Sequence, residues 1–594
     1  MSLDKLYNNI FTLEYLIKYG YFSYKPKKSD GNEYFSTDTI YKIFNMDDYV
    51  YKLPLVMSEL TTESKDKKID TEPIQFSIPK KDLSRRQYKF PNLYSYTDLA
   101  NFICKNKQEF IDIFVRNKFS TSKFFDLPGY TFKNTQKIKD KLLQLGDKEI
   151  HIDFSNFYHT IYTHSIPWII MGKSKAKANR SNKGFANKLD KLLESCQSGE
   201  THGIPVGNLL SQIIAELFMC YFDEEMKREN LVYHRYVDDI TFAFTLEKER
   251  DKFLEEINLM CRKYNLYLNS EKIVMEKFPQ NDVLDKQKLF TFFDIRKFGK
   301  SKISKKRDLI SEYINLCVSE ESLGNKGALK IIFTGLHNNV KNDVMTVNDV
   351  FLYIDPLTDT SLFEKIFDIS IKKPELTNRF MDFFENFFRD SKSIKKGKKI
   401  IQGYFDKNRN SILEKVKYLR KNKFNQEIYQ LMLYIVQFDI NIGNFLKEDK
   451  ILEMLDGDLD DLCLILLTIA YLKSDYNVTK LLEKIEQILG DEHKKYSNPN
   501  KEVSRFTERF WYFRYFIYYL LEIGIISKQD LTNHLTTVKK DKNGIILSEL
   551  NLIYVFKKGN KRAGHEKVDE FYKKLLEYKT ILVDCGKNND FKYF

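Results

Sequence analysis

The sequence predicts an α+β fold in two parts: strands and hairpins mixed with helices up to about residue 300, then helices alone. Three observations carry this. Glu149-Ile150-His151-Ile152-Asp153 alternates apolar and polar residues before meeting aromatics, which fits a short central strand ended by a tight turn. Leu231, Val232 and Tyr233 on one side and Ile240 to Phe244 on the other flank Tyr236-Val237-Asp238-Asp239, the pattern of a β-hairpin with an acidic tip. Beyond residue 300 only Pro356, Pro374 and Pro499 remain, and amphipathic helical patterns follow one another.

Each element of the first part places chemistry. Ile78 to Pro91 is a basic, hairpin-like unit bounded by prolines; Lys80 and Arg86 in it suit an incoming triphosphate, arginine often bidentately. A solvated basic turn is the commoner use of such a stretch. Asp153 ends a strand that reads as central, where a lone carboxylate is costly unless paired, bonded or bound to a cation. Thr201 to Ser211 holds Gly203, Pro205 and Gly207, a fixed turn through which backbone approaches a ligand closely, and the apolar run Ile213 to Cys220 reads as a buried helix. Acidic pairs in turns are usually just solvated tips. With Asp153 beside them, however, Asp238 and Asp239 could hold two magnesium ions about 3.5–4 Å apart, which clamp an in-line phosphoryl transfer. Finally Leu266 to Lys272 sets a lysine after an alternating strand, where it could protonate a pyrophosphate leaving group.

In this order the elements resemble reverse transcriptases, fingers then palm. A closer resemblance is to the AbiK-like abortive-infection reverse transcriptases. It is carried by Pro91-Asn92-Leu93-Tyr94-Ser95-Tyr96, Asn117 to Phe125, Ser155 to Thr160, Tyr162 to Trp168, Leu323 to Ala328 and Cys585 to Tyr593. The resemblance implies a fingers and palm domain over 1–300, with an antiparallel palm sheet and a priming segment at about 1–70. It implies an all-α, HEAT-like repeat domain over 301–594 in place of a thumb. It makes Asp153, Asp238 and Asp239 the metal ligands for Mg2+, with Mn2+ able to substitute, and Lys272 the general acid. Lys80, Arg86, Phe154, Tyr158, Pro205, Val206 and Gly207 become the nucleotide contacts. Tyr158 stands where such polymerases put a bulky gate against a ribose 2′-hydroxyl; Phe157 is equally large, so the gate is open between the two.

One departure bears on mechanism. Many reverse transcriptases carry glutamine in the middle of the Gly-x-Pro-x-Gly turn; here it is Val206, which has no donor or acceptor. The resemblance implies addition of deoxynucleotides without a template, primed by the protein so that single-stranded DNA stays covalently attached, in a bacterial phage-defence enzyme that is a homo-oligomer. Tyrosine suits priming, since its phenol ionises near about 10 and a cation lowers that. Among Tyr24, Tyr34, Tyr41 and Tyr49, the context Asn32-Glu33-Tyr34 fits the family best.

The remaining sequence narrows the field. A formal net charge of +13 favours a polyanionic partner, although enrichment in lysine, asparagine, tyrosine and phenylalanine also fits an AT-rich genome. Seven cysteines form no Cys-x-x-Cys pair, which argues for reduced thiols in a cytoplasmic protein and against a zinc site. The N-terminus lacks a signal-peptide pattern, and the apolar run Leu462 to Leu472 is too short to span a bilayer. Gly172-Lys173-Ser174 lacks the earlier glycine of a P-loop. Lys173, Lys175, Lys177, Arg180 and Lys183 form a basic loop, and Lys395, Lys396, Lys398 and Lys399 a basic helix segment; either could meet nucleic acid or merely be solvated. Helices are expected at Gln426 to Gln437, Asp460 to Leu472, Asn477 to Leu489 with Gly490 as its stop, and Thr507 to Glu522. Two rival readings are a template-copying enzyme of a retroelement or retron and a non-catalytic scaffold. Against the first stands the absence of endonuclease, zinc and Val-Thr-Gly signatures; against the second, the retention of three acids.

Overall fold

Alternating side chains set the pairing of the strands. The computed structural model describes residues 3–26, 34–35, 39–57, 68–81, 84–125, 132–144, 146–179, 184–278, 287–340, 344–474, 476–496, 506–527, 529–530 and 565–584. β1 (Lys25–Pro26) and β2 (Tyr34–Phe35) form a short antiparallel pair, and β3 (Ile74–Lys81) with β4 (Ser84–Phe90) forms the basic hairpin. β5 (Lys148–Ile152), β6 (His234–Tyr236), β7 (Asp239–Phe244) and β8 (Val274–Lys277) make a four-stranded antiparallel sheet in the order β6-β7-β5-β8. Ile150 lies opposite Phe242 and Ile152 opposite Ile240, so these buried residues share one face. One step past that last pair, Asp153 and Asp239 come level at the end of the sheet.

Two helices cover the buried face. Phe242 stacks on Phe253 of the helix Glu247–Tyr264, with centroids 4.2 Å apart and planes at 7°. Phe154 meets Phe222 of the helix Leu209–Arg228 edge-on at 6.1 Å. Asn208 caps that helix, its Oδ1 accepting from the Ser211 amide at 3.0 Å.

Among the described residues after 287 the elements are helices apart from β9 (Ile354–Asp355) and β10 (Thr360–Ser361). Asn425–Gln437 packs on Asp461–Leu472, which packs on Trp511–Glu522, which in turn meets His565–Glu577. Asp461 to Tyr471 is buried throughout, as its unbroken apolar run requires. Two expected ends are corrected. The helix from Val478 runs through Gly490 to Tyr496, because burial of Leu481, Leu482, Ile485, Ile488 and Leu489 outweighs the roughly 1 kcal/mol that an interior glycine costs. The helix expected from Thr507 begins at Trp511, after Phe510 in the left-handed region at φ +66°.

The helical half closes on the basic hairpin. Arg85 donates to both carboxylate oxygens of Glu427, at 2.7 and 2.6 Å, with its guanidinium 4.1 Å over the Phe424 ring. The Ser77 amide donates to Asn425 Oδ1 at 3.1 Å, and Phe76 meets Tyr429 edge-on at 5.8 Å. At the other end Tyr572 donates to Asn92 Oδ1 at 2.7 Å, and the Asp584 amide donates to the Ile43 carbonyl at 2.8 Å. Of the described cysteines, Cys104 is half-buried and the other five are buried; all are free, and Cys585 lies outside the described residues. Burial pushes the Cys104, Cys261 and Cys317 thiols up to about 12, which keeps them neutral. Among the described residues no helix is long and apolar enough to cross a membrane.

Arg85→Ala should lower stability by about 2 kcal/mol, since it removes two charge-assisted hydrogen bonds in a largely shielded place. Urea unfolding measures it; Arg85→Lys, which keeps charge without the fork, should fall between the two.

Candidate active site

The tip of the acidic hairpin is strained. Val237 sits at φ +57°, a region that a β-branched side chain seldom enters. A closed ring of hydrogen bonds holds it there. The Val237 amide donates to Ser122 Oγ at 2.9 Å, and the Ser122 hydroxyl donates to Glu216 Oε2 at 2.7 Å. Glu216 also accepts from Arg235 Nη1 at 3.0 Å and Nη2 at 2.9 Å, and Nη1 returns to the Val237 carbonyl at 2.9 Å. Arg235 is fully buried and reaches Asp223 as well, with Nη2 at 2.8 Å from Oδ2. Tyr233 and Asn117 each donate to Asp223 at 2.7 Å. Burial would raise the Glu216 carboxyl, but the Arg235 guanidinium outweighs it and holds Glu216 below its usual range.

The segment after Asn117 braces the same strand. The Arg235 amide donates to the Phe119 carbonyl and the Thr121 amide to the Arg235 carbonyl, both at 3.0 Å, so Ser120 bridges Arg235 in parallel beyond β6. Buried Lys123 donates to the Phe114 carbonyl at 2.8 Å, and desolvation pushes its ammonium down to about 8.

Asp153 follows β5 and is 6% exposed. Its Oδ2 accepts from the Lys272 ammonium, and its carbonyl accepts from the Asn269 amide at 2.8 Å. Asp238 in the turn is half-buried; burial first, then the carboxylates of Asp153 and Asp239, push it up to about 7. Burial and Asp153 likewise raise Asp239, against the Lys272 ammonium. The hydrogen bond to Asp153 in turn raises Lys272, which stays protonated. The three carboxylates feel one another's charge, although as a set their oxygens do not close to within 4.8 Å of one another; a divalent cation of the oxygen-loving kind would offset the repulsion that raises Asp238. Among the described residues the one set of three such ligands lying within 4.8 Å of one another is His164, Asp190 and Glu194, which went unread in the sequence. Lys68 and Lys191 lie 2.6 and 3.0 Å from Glu194, and His164 Nδ1 lies 2.6 Å from Asp190 Oδ2, while Asp190 Oδ1 is buried with no hydrogen-bond partner among the described residues.

A cavity of about 440 Å³ opens beside Asp153 and Asp238. Lys80 of β3 and Arg86 of β4 line it from one side, Tyr158, Val206 and Gly207 from another, and Lys272 closes it. The Gly-x-Pro-x-Gly turn ties these walls together: the Val206 carbonyl accepts from the Lys89 amide, and the Ile204 amide donates to the Tyr158 carbonyl, both at 2.9 Å. Gly207 is obligatory here, at φ +110° with the place of a Cβ only 2.7 Å from Tyr88 Cδ2.

Several expected contacts lie elsewhere. Asp239 is exposed as the first residue of β7 and is not on the cavity wall. Pro205 is also off the wall, and its carbonyl accepts from Asn208 Nδ2 at 3.1 Å. Phe154 borders the cavity but is only 2% exposed. Phe157 also borders the cavity but is 3% exposed and stacks on Phe154 at 6.0 Å, whereas the half-buried Tyr158 ring feels Asp238; burial and that charge raise its phenol. Leu268 makes only a single bridge, to Phe154, so Lys272 ends a 3-10 turn ahead of β8 and follows no strand.

Of the tyrosines proposed as primers, Tyr24, Tyr41 and Tyr49 are buried with bonded hydroxyls, to the Tyr41 and Phe44 carbonyls, to Glu385 and to Thr97 respectively. Tyr34 lies in β2, with its side chain outside the described residues. Sequence reading missed the Ser122, Glu216, Asp223 and Arg235 ring, and also Gln212, whose exposed amide lies on the cavity wall. A charged residue inside each apolar run was the available signal for the ring.

Arg235→Met should cost about 3–5 kcal/mol in denaturant unfolding, because it strands two buried carboxylates. Ser122→Ala should cost only about 1 kcal/mol of stability while lowering nucleotide incorporation by on the order of 10–100-fold, since the acidic turn loses its amide acceptor.

Residues 78–292 match the family model for reverse transcriptase (RNA-dependent DNA polymerase). No curated protein matches the chain. Among solved structures, apo telomerase from Candida tropicalis overlaps at 13% identity and a TM-score of 0.27, covering 77% of this chain and 73% of that one. Telomerase from Candida albicans in complex with a fragment of telomeric RNA overlaps at 11% identity and 0.26, covering 65% and 70%. Overlaps this loose say nothing about the site. The chain therefore carries a reverse transcriptase domain over residues 78–292, and it is a nucleotidyltransferase of the DNA polymerase type.

Proposed function

We propose that this enzyme is an abortive-infection polymerase of bacterial phage defence that adds deoxynucleotides without a template to its own Tyr34, leaving DNA covalently attached. The course of the N-terminal segment carries the reading. Phe22, Ser23 and Thr39 line the cavity that holds Asp153 and Asp238, and the β1–β2 pair with Tyr34 lies between them in the chain. Tyr34 is five residues before Thr39, an extended reach of about 17 Å.

Asp153 and Asp238, with Asp239 beside them, would hold two Mg2+ or Mn2+ ions. Bound there, the ions supply charge to the attacking and leaving oxygens of phosphoryl transfer. Lys80 and Arg86 hold the triphosphate, and the Tyr158 ring crowds a 2′-hydroxyl and selects deoxynucleotides. Lys272, kept protonated by Asp153, donates its proton to the departing pyrophosphate. Val206 offers a base no hydrogen bond, so the cavity has no reader for a template at that point. The helical half, read as a HEAT-like array in place of a thumb, holds the hairpin and assembles a homo-oligomer. Template copying is the second reading, favoured by the RNA-dependent character of the matched family.

Purified protein with magnesium and labelled deoxynucleotides, lacking template and primer, should yield label that migrates with protein on a denaturing gel and is freed by protease. Asp238→Ala should abolish all incorporation. Tyr34→Phe should remove at least about 90% of the protein-linked label yet still extend an added primer, as expected when only the attacking hydroxyl is lost. Label that appears only with added template would sink the self-priming reading in favour of copying.

A further inference from the structure

The basic helix Ser391–Lys407 holds an arrangement that the active site does not explain. Its buried face is Ser393, Gly397, Ile401 and Phe405, and Gly397 packs so closely that a Cβ would stand 2.8 Å from Phe384 and 2.9 Å from Phe388. That contact fixes the rotation of the helix. Lys398 consequently turns inward, 2.6 Å from Asp439. Lys392, Lys395, Lys396 and Lys399 are instead exposed, and none of the four ammonium groups meets a carboxylate among the described residues.

These four are related by steps of three and four residues, so each faces a like charge on the same side of the helix. The only acid on the helix, Asp406, is at its far end. Such a stripe repels itself and calls for a multivalent anion. The apolar side chains of this helix are buried or half-buried in the protein, which leaves nothing to insert into a bilayer, so a lipid surface fits poorly. From Lys392 to Lys399 the stripe runs about 10 Å along the axis, the length of roughly three stacked nucleotides at about 3.4 Å each.

We propose that the Lys392, Lys395, Lys396 and Lys399 face binds the phosphate backbone of single-stranded DNA, giving the polymerase a strand-holding surface on its helical half, apart from the catalytic cavity. The proposal rests on the polymerase class alone and stands whether or not the protein primes itself.

Full-length protein is titrated against a fluorescein-labelled oligodeoxythymidylate of about 20 nucleotides over a range of KCl, with anisotropy as the readout. Replacing all four lysines by Gln should flatten the slope of log K against log salt by about 3, at ~0.7 per phosphate contact on a single strand. Replacing all four by Arg should keep the slope. The Gln variant should unfold at the same temperature as the wild type or higher, because repulsion is relieved, so a lower slope with an unchanged melting point supports the proposal. A slope unchanged by the Gln set, or a wild type that fails to bind the strand, overturns it. So does lysine-dependent binding to phosphatidylserine vesicles with DNA binding unaffected.

Discussion

The acidic turn depends on one buried cation. Val237 holds a backbone conformation it would not choose, and the bonds that impose it all pass through Arg235, directly or by way of Glu216 and Ser122. Placing a guanidinium and two carboxylates in the interior costs desolvation, and apolar residues of like volume often serve stability as well. What the ionic group adds is direction. Its fixed fork and the single acceptor at Val237 leave the turn one orientation, and with it the Asp238 carboxylate.

The rest of the site is arranged around that fixed point from distant parts of the chain. β5 brings Asp153 to the same level by register with β7, and the Gly-x-Pro-x-Gly turn carries the basic hairpin to the cavity through Val206 and Lys89. The hairpin has a sheet of only two strands and would be marginal alone. Asn425, Glu427 and Tyr429 supply the support, so the position of Lys80 and Arg86 depends on helices more than three hundred residues later. The helical half is thereby part of the cavity's framework.

Much of this was legible locally. The alternation into Asp153, the flanks of the Asp238 turn and the glycines around Pro205 are short-range patterns whose geometry follows from side-chain spacing and φ. Errors arose where burial by remote neighbours outweighed a local rule. Gly490 reads as a helix stop but is overridden by its packed leucines and isoleucines, and Thr507 reads as a start that Phe510 moves forward. Leu266 to Leu268 alternates like a strand, yet pairs only once.

The sequence by itself determined the chemistry available: three carboxylates, the cations of the hairpin, and a valine where a hydrogen-bonding residue is common. Tertiary structure decided which of these share a space. Phe157 and Tyr158 both border the cavity, but Phe157 is almost wholly buried and Tyr158 only half-buried, Asp239 stays off the wall that Asp238 forms, and Lys398 is paired while Lys396 and Lys399 meet no carboxylate among the described residues. Periodicity states that two adjacent residues point different ways. Only the partners brought in from elsewhere settle which of those ways is inward.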